Sequence, residues 1–190
     1  EQDYSTDFTL KGSACGAGPY DIYNILEGMV NEANYPEPVN LGYILHSYSA
    51  YSQFDNPLTD IFNEPYASKL NNLYDGLHSA EEINSQLTTS IPGLLNPVFI
   101  SGFATSATYS SVREALKRNS ITPWKSIVPL LFVHGAIDKT VNPIATENMY
   151  SAMIEAGTSQ DLCKKSILPG LDHGDGAAPF VLQGLVFLNG

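Results

Sequence analysis

The sequence predicts an α/β protein with about three parallel strands, flanking helices and a mainly helical insertion. An apolar run that ends in His-Gly, at residues 128–135, is typical of a strand buried on both faces of a parallel sheet. Strand and helix patterns alternate after this run, as they do in α/β folds. Before it, residues 21–120 show helix signals without strands. We therefore predict a core formed by residues 1–20 and 121–190, and a helical cap or lid at 21–120.

The first strand is predicted at residues 7–13, where β-branched and aromatic residues precede the loop-forming run Gly16-Ala17-Gly18-Pro19. Helices in the insertion are predicted at about 20–33, 38–53, 64–74, 79–87 and 107–119. The fourth begins with Ser79-Ala80-Glu81-Glu82, which is the pattern of a capping box.

The second strand, at 128–134, leads into a helix with clear end signals. Asn142 is able to cap this helix, Pro143 suits its first position, and Gly157 closes it in the left-handed conformation. The remaining elements are a strand at 166–168, a Gly/Asp-rich loop at 169–176 and an apolar helix at about 178–188.

Charge and composition exclude several classes of function. The chain has 20 acidic and 9 basic residues and a net charge of −11, so it would repel nucleic-acid phosphates. The sequence contains no stretch of about 18 apolar residues, so no membrane-spanning helix is predicted. The four histidines and two cysteines lack metal-ligand spacing, and no metal or cofactor is predicted. Cys15 and Cys163 permit one disulfide, which the sequence leaves open.

Two loops that follow predicted strands carry residues suited to catalysis. Asp138 lies three residues beyond Gly135, and His173 follows the strand at 166–168. Because functional residues gather at the carboxyl ends of parallel strands, we expect the two side chains to lie close together. An Asp that orients an imidazole and a His that transfers a proton are two members of a catalytic triad. Each residue alone is more often a turn or loop residue, but their order and flanking glycines favour a shared site.

The segments "PLLFVHGAIDKTVNPIATENMYSAMIEAG" and "LPGLDHG" resemble the C-terminal part of an α/β-hydrolase. The segments "ACGAGPYD", "EPYASKLNNLYDG", "EEINSQL" and "REALKRNSITPW" are similar to the esterase branch that includes secretory lipases. The resemblance covers nearly the whole chain and implies a partial α/β-hydrolase fold. It further implies that Asp138 is the triad acid, that His173 is the general base, and that the protein is secreted or periplasmic.

Three neighbouring residues have alternative interpretations. His134 is similar to the His that precedes Gly at this strand end in many relatives, and we interpret it as structural. Asp172 and Asp175 flank His173 and are alternative partners for its ring. Asp138 fits better, because this fold has the chain order Ser, Asp, His.

The nucleophile is the missing part of the pattern. No Gly-x-Ser-x-Gly pentapeptide, the nucleophile elbow of this fold, occurs in the 190 residues. Cys15 either is itself the nucleophile, as in dienelactone-hydrolase-like members of the superfamily, or is a small buried residue on the strand after the elbow. We favour the second interpretation, because Pro19 intervenes where an elbow turns directly into a helix. The resembled branch also carries a similar "AGPYD" run on that later strand.

These features together predict the C-terminal portion of a serine ester hydrolase that is inactive alone. The chain starts without Met or a leader sequence, and we expect that the natural N-terminus has been removed. One alternative is a non-catalytic α/β-hydrolase-like binding or interaction module, and another is a hydrolase that uses Cys15. The aromatic residues of the insertion favour a small hydrophobic ester as substrate, although most of them are expected to form the insertion's own core.

The unpaired edge of the predicted first strand indicates a protein partner. Without the strand that normally pairs with it, the segment near Asp7–Ser13 would expose a row of backbone donors and acceptors. We expect either self-association through this edge or docking with a missing N-terminal segment.

Overall fold

The computed structural model describes Asp7 and residues 9–190. The chain divides into two compact units. One comprises Glu1–Asp21 with Ile121–Gly190 and is called the sheet unit; the other, Ile22–Ser120, is called the helical unit.

The helical unit consists of short helices around an apolar core. Their bounds are Ile22–Met29 (α1), Pro38–Ala50 (α2), Leu58–Ile61 (α3), Tyr66–Leu73 (α4), Ala80–Gln86 (α5), Ile91–Leu94 (α6), Pro97–Gly102 (α7) and Ser110–Asn119 (α8). The predicted capping box of α5 is confirmed: Ser79 Oγ accepts from the backbone N–H of Glu82, and Glu82 Oε2 accepts from the N–H of Ser79. Helices α3, α6 and α7 were not predicted; Ser90 and Asn96 cap the last two.

Most aromatic residues of the helical unit form its own core, as expected. Phe62, Phe99 and Phe103 are fully buried there, and the rings of Phe99 and Phe103 lie 5.4 Å apart. Tyr43 and Tyr51 are exposed. Apolar burial of this kind is the main stabilising contribution in a unit built from helices too short to be stable alone.

The sheet unit contains a parallel sheet with the order β1-β2-β3 among the described residues. Its elements are Ser13–Gly16 (β1), Leu130–Gly135 (β2), Ile144–Glu155 (α9), Cys163–Leu168 (β3) and Ala177–Asn189 (α10). Every position of the central strand β2 is buried, which agrees with its continuous apolar sequence. The α/β fold class, with three parallel strands and flanking helices, is therefore confirmed.

Helices cover the two faces of the sheet. Because side chains alternate along a strand, Leu130 and Phe132 of β2 point to one face, where they pack with Met149 and Met153 of α9. Helix α10 packs on the other face of β1. A Cβ atom added at Gly184 of α10 would lie 3.2 Å from the Cβ of Ala14, so this helix and β1 are in close contact.

The prediction for the first strand was wrong. Residues 9–12 are not in a strand, and Phe8 lies outside the described residues. Strand β1 begins at Ser13, the last residue of the predicted strand, and ends at Gly16, which was assigned to the loop. Packing against α10 explains this: a Cβ atom on Gly16 would lie 2.7 Å from the ring of Phe180. Intrinsic strand propensity is overridden here by the close approach of a helix. At the end of β1, Ala17 has a φ of 44° and turns the chain away from the sheet.

The later predictions differ only at their ends. The third strand begins at Cys163 rather than 166, and Lys164 and Lys165 lie exposed on it, as is common on sheet edges. Gly157 has a φ of +98° and closes α9 as predicted. The two cysteines are free thiols. They lie on β1 and β3 with β2 between them, Cys15 opposite Phe132 and Cys163 opposite Leu130. Two strand spacings and a two-residue offset put their Cα atoms roughly 11–12 Å apart, which is too far for a disulfide.

Candidate active site

The site lies at the carboxyl end of β2. This strand ends at Gly135, and Asp138 follows in the next turn, where its backbone N–H donates to the carbonyl of Gly135. The loop that bears His173 follows β3 and passes directly over Gly135. The backbone N–H groups of Ala136 and Ile137 donate to the carbonyls of Leu168 and Leu171, at 2.9 and 3.1 Å. The two loops are therefore joined through their backbones.

Asp138 is a fully buried carboxylate with four hydrogen-bond partners. Its Oδ1 accepts from the backbone N–H groups of Thr140 (2.8 Å) and Val141 (2.9 Å). Its Oδ2 contacts Nδ1 of His173 at 2.7 Å and Nε2 of His134 at 3.1 Å. The Asp138 side chain is 0% exposed. A carboxylate without access to water needs such partners, because an unpaired buried charge is strongly unfavourable.

The imidazole of His173 is held on one side and open on the other. Its side chain is 45% exposed, although Nδ1 contacts the buried Asp138. Within the described part of the chain, its Nε2 makes no hydrogen bond. A ring that donates from Nδ1 to a carboxylate and presents Nε2 to solvent is arranged as a general base.

The structure thus brings together the two site residues predicted from the sequence. The alternative partners of His173 lie elsewhere: Asp172 and Asp175 are exposed, and Oδ1 of Asp172 accepts from the backbone N–H of Asp175. The catalytic roles of Asp138 and His173 stay predictions, since contact alone does not test them.

His134 makes a contact that the sequence did not indicate. Its ring is 1% exposed, with Nδ1 2.7 Å from Oγ1 of Thr146. Its Nε2 lies 3.1 Å from Asp138 Oδ2 and 2.9 Å from the carbonyl oxygen of Val141. The i,i+4 spacing of His134 and Asp138 is the only sequence signal for this contact, and alone it is weak.

Cys15 is not brought to His173. It lies inside β1, opposite Phe132, and its Sγ is 3.8 Å from Oγ of Ser13. The sharp turn belongs to Ala17 instead. Among the described residues, no serine, threonine or cysteine side chain is hydrogen-bonded to His173, so the geometry assigns no nucleophile to the pair.

A cavity of about 300 Å³ opens beside β1, on the face that α9 covers. Cys15, Tyr20, Trp124, Phe132 and Met149 line it, whereas Asp138 and His173 do not. Burial raises the pKa of the Tyr20 phenol to about 12, and the nearby Cys15 thiol adds to the increase. The Tyr20 hydroxyl is buried and makes no hydrogen bond of normal geometry, although the Thr146 side chain and the Gly18 backbone lie near it and offset part of the increase in its pKa.

Neither a metal site nor a membrane-crossing helix is found in the described parts of the chain, Asp7 and 9–190. No group of three or more His, Cys, Asp or Glu residues there could hold a metal ion. No helix there is both long enough and apolar enough to cross a bilayer.

The solved structures that share this fold belong to proteins described as a hydrolase and an esterase. A presumed hydrolase from Legionella pneumophila matches 99% of this chain with a TM-score of 0.85 and 23% sequence identity. The rice cell wall degrading esterase LipA from Xanthomonas oryzae matches 97%, with a TM-score of 0.73 and 20% identity. The chain has the fold of these proteins. It spans 51% and 50% of their respective lengths. No protein-family model and no curated protein matches the chain.

Proposed function

We propose that this chain is the C-terminal portion of a serine ester hydrolase and supplies the Asp and His of its catalytic triad. The observation that carries the proposal is the 2.7 Å contact between the buried carboxylate of Asp138 and Nδ1 of the half-exposed His173. The hydrolase and esterase descriptions of the structural neighbours support the same reaction class.

The pair would act as follows on an ester. Asp138 accepts the Nδ1–H of His173, which leaves the lone pair on Nε2 directed outward. Nε2 takes the proton of a serine hydroxyl while the serine oxygen attacks the ester carbonyl, and Asp138 stabilises the imidazolium that forms. His173 then gives this proton to the leaving alcohol. In the second half, His173 takes a proton from water as the water oxygen attacks the acyl carbonyl. The bond to the serine oxygen then breaks, the acid leaves, and His173 returns the proton to the serine.

The serine would come from outside these 190 residues. Because no nucleophile contacts His173 in the described chain, the 190-residue protein should form no acyl-enzyme. We expect neither labelling by a fluorophosphonate probe nor hydrolysis of a short-chain nitrophenyl ester. Labelling of a serine in this chain, together with turnover, would contradict the proposal.

The same assays on the full-length protein test the triad. We expect turnover, with kcat about 10⁴-fold lower for Asp138→Asn and lower still for His173→Ala. Asp175→Asn is the matched control, since Asp175 is exposed in the same loop, and it should retain wild-type activity. A full-length protein without a Gly-x-Ser-x-Gly segment and without turnover would instead indicate a non-catalytic module. Loss of turnover after alkylation of Cys15 would indicate the cysteine hydrolase.

The proposal includes a partner for the exposed side of the sheet unit. Strand β1 pairs with β2 on one side only among the described residues. Helix α10 exposes a cluster of apolar side chains: Val181, Leu182, Leu185, Val186 and Leu188. Because the chain spans about half of each structural neighbour, we propose that the segment bearing the serine precedes it, pairs with β1 and covers α10.

Co-expression of the preceding segment with the 190-residue chain tests this surface. We expect a stable one-to-one complex in sedimentation experiments, which Val186→Asp weakens. Leu77→Asp, at a still more exposed apolar residue in the helical unit, is the control and should leave the complex intact. A chain that stays monomeric beside that segment, or that only pairs with itself, would contradict the proposed partner.

Three further parts of the proposal rest on the sequence and its resemblance. The helical unit would form the cap of the complete enzyme, the substrate would be a small hydrophobic ester, and the protein would be secreted or periplasmic. Comparison of nitrophenyl esters of increasing acyl length on the full-length protein tests the substrate class. A strong preference for charged or sugar esters would contradict it.

A further inference from the structure

We propose that His134 is a positioning residue for the Asp138–His173 pair. Its Nε2–H donates to Oδ2 of Asp138, the same oxygen that accepts from His173, and so fixes the carboxylate in the orientation that His173 needs. The inference rests on the proposed function for its catalytic meaning, whereas its structural part stands on the contacts within the sheet unit.

The surroundings of His134 determine which ring nitrogen carries the proton. Nε2 faces two acceptors, Asp138 Oδ2 at 3.1 Å and the carbonyl oxygen of Val141 at 2.9 Å. A bare Nε2 would point its lone pair at both oxygens, so this nitrogen must be protonated. In the neutral ring, Nδ1 then accepts from the hydroxyl of Thr146, 2.7 Å away at the start of α9. Strand β2 and helix α9 therefore fix one tautomer of the ring.

This arrangement constrains the Asp138 carboxylate from both sides. Backbone donors from Thr140 and Val141 hold Oδ1, while two imidazoles share Oδ2. Without His134, Oδ2 would depend only on His173, whose side chain is 45% exposed. An exposed ring on a loop is a poor anchor, whereas His134 is 1% exposed on the central strand. Because His134 is held in the sheet, its contact with Oδ2 restricts the movement of the Asp138 carboxylate.

Burial of a polar ring in a strand that is otherwise apolar also argues for a specific role. An unpaired polar group at this depth would be costly, and both ring nitrogens of His134 are paired. Leu, Ile or Val would fill a buried strand position without this requirement. The contacts of His134 are directed at the residue that holds His173, rather than at a distant part of the fold.

The first test is the tautomer of His134 in the 190-residue chain. Nuclear magnetic resonance of protein labelled with nitrogen-15 histidine correlates the ring nitrogens with the carbon-bound ring protons and shows which nitrogen is protonated. We expect a proton on Nε2 of His134 and on Nδ1 of His173. A bare Nε2 on His134 would overturn the proposal, because that nitrogen could not donate to Asp138.

The second test compares variants by the downfield Nδ1–H resonance of His173. His134→Leu fills space but donates nothing, and we expect this resonance to broaden or disappear. His134→Gln places an amide donor near the position of Nε2 and should restore it. Val133→Ala, at a buried residue on the opposite face of β2, is the control for lost stability and should leave the resonance unchanged.

An unchanged His173 resonance in folded His134→Leu would show that His134 only fills space. If His134→Leu does not fold, His134→Gln and His134→Asn decide the question. Asn is able to reach toward Thr146 but is too short to reach Asp138, so only Gln should preserve the resonance. Equal resonances in Gln and Asn would overturn the proposal.

The third test uses turnover of the full-length protein. We expect kcat to fall about 10- to 100-fold in His134→Leu, with KM unchanged and with most of the rate recovered in His134→Gln. An unchanged kcat in His134→Leu would contradict the positioning role. If the wild-type full-length protein hydrolyses no ester, the proposed function fails, while the resonance experiments still decide whether His134 orients Asp138.

Discussion

Substitution of Gly135 by alanine should displace the His173 loop. A Cβ atom at this position would lie 2.6 Å from the carbonyl oxygen of Asp172 and closer still to that of Leu171. Both atoms belong to the backbone, so no side-chain rotation relieves the clash. Since ordinary contacts of a Cβ atom exceed 3.4 Å, the loop must move by about 1 Å at the residue adjacent to His173.

The expected cost follows from this clash. Overpacking of a close contact destabilises by about 1–3 kcal/mol, which lowers Tm by roughly 2–12 °C for a chain of this size. A shift of about 1 Å would also stretch the 2.7 Å contact of His173 with Asp138 and reduce kcat of the full-length protein by about 10²-fold. Thermal unfolding followed by circular dichroism measures the first effect, and ester hydrolysis measures the second.

Gly174→Ala is the matched control, because it lies next to His173 in the same loop. Its added Cβ would meet only Oδ1 of Asp172, at 3.7 Å, which is an ordinary contact. Stability should change by no more than about 0.5 kcal/mol. If Gly135→Ala had the Tm and the His173 resonance of the wild type, the argument that Gly135 permits the close approach of the loop would be refuted.

Three further predictions concern burial and local structure. Tyr20→Phe should be neutral or stabilise by about 1 kcal/mol at neutral pH, because it removes a buried hydroxyl that makes no hydrogen bond of normal geometry. The advantage of Tyr20→Phe over the wild type should grow as pH rises from 10 toward 12. Because the pKa of Tyr20 is raised in the folded state, the unfolded wild type loses its phenol proton first, and the wild type loses stability across this range. Urea titrations at both pH limits measure this, and an advantage that shrinks would contradict it. Burial also raises the pKa of the Cys163 thiol, so iodoacetamide should modify Cys163 only after unfolding, and rapid labelling of native protein would contradict its burial. Ser79→Ala should lower the unfolding free energy in urea by about 1 kcal/mol, since α5 loses its capping box; no change would show that the cap is dispensable.

The sequence predicted the parts of the site that depend on local patterns. Strand β2 is continuous in apolar residues, and Asp138 and His173 each follow a strand, so topology alone places their loops at one edge. Strand β1 could not be found in this way. Its residues must be small because α10, more than 150 residues later in the chain, packs closely against them. A local sequence pattern does not indicate so distant a contact.

The contact of His134 with Asp138 is a similar case. Strand alternation places His134 on the face covered by α9, but only the turn at 138–141 folds the carboxylate back over the ring. The sequence therefore indicated a buried residue without its partner. The short helices α3, α6 and α7 were missed for another reason, since four to six residues are too few to show helical periodicity.

The geometry of the Asp138–His173 pair depends on contacts made within residues 130–176. Backbone bonds join the two loops, and β2 and α9 hold His134 beneath the carboxylate. The site should therefore be assembled before any nucleophile is added. We expect the His173 Nδ1–H resonance to appear in the 190-residue chain and to keep its position in the full-length protein. If the resonance appeared only in the full-length protein, the missing segment would supply the order of the site as well as its serine.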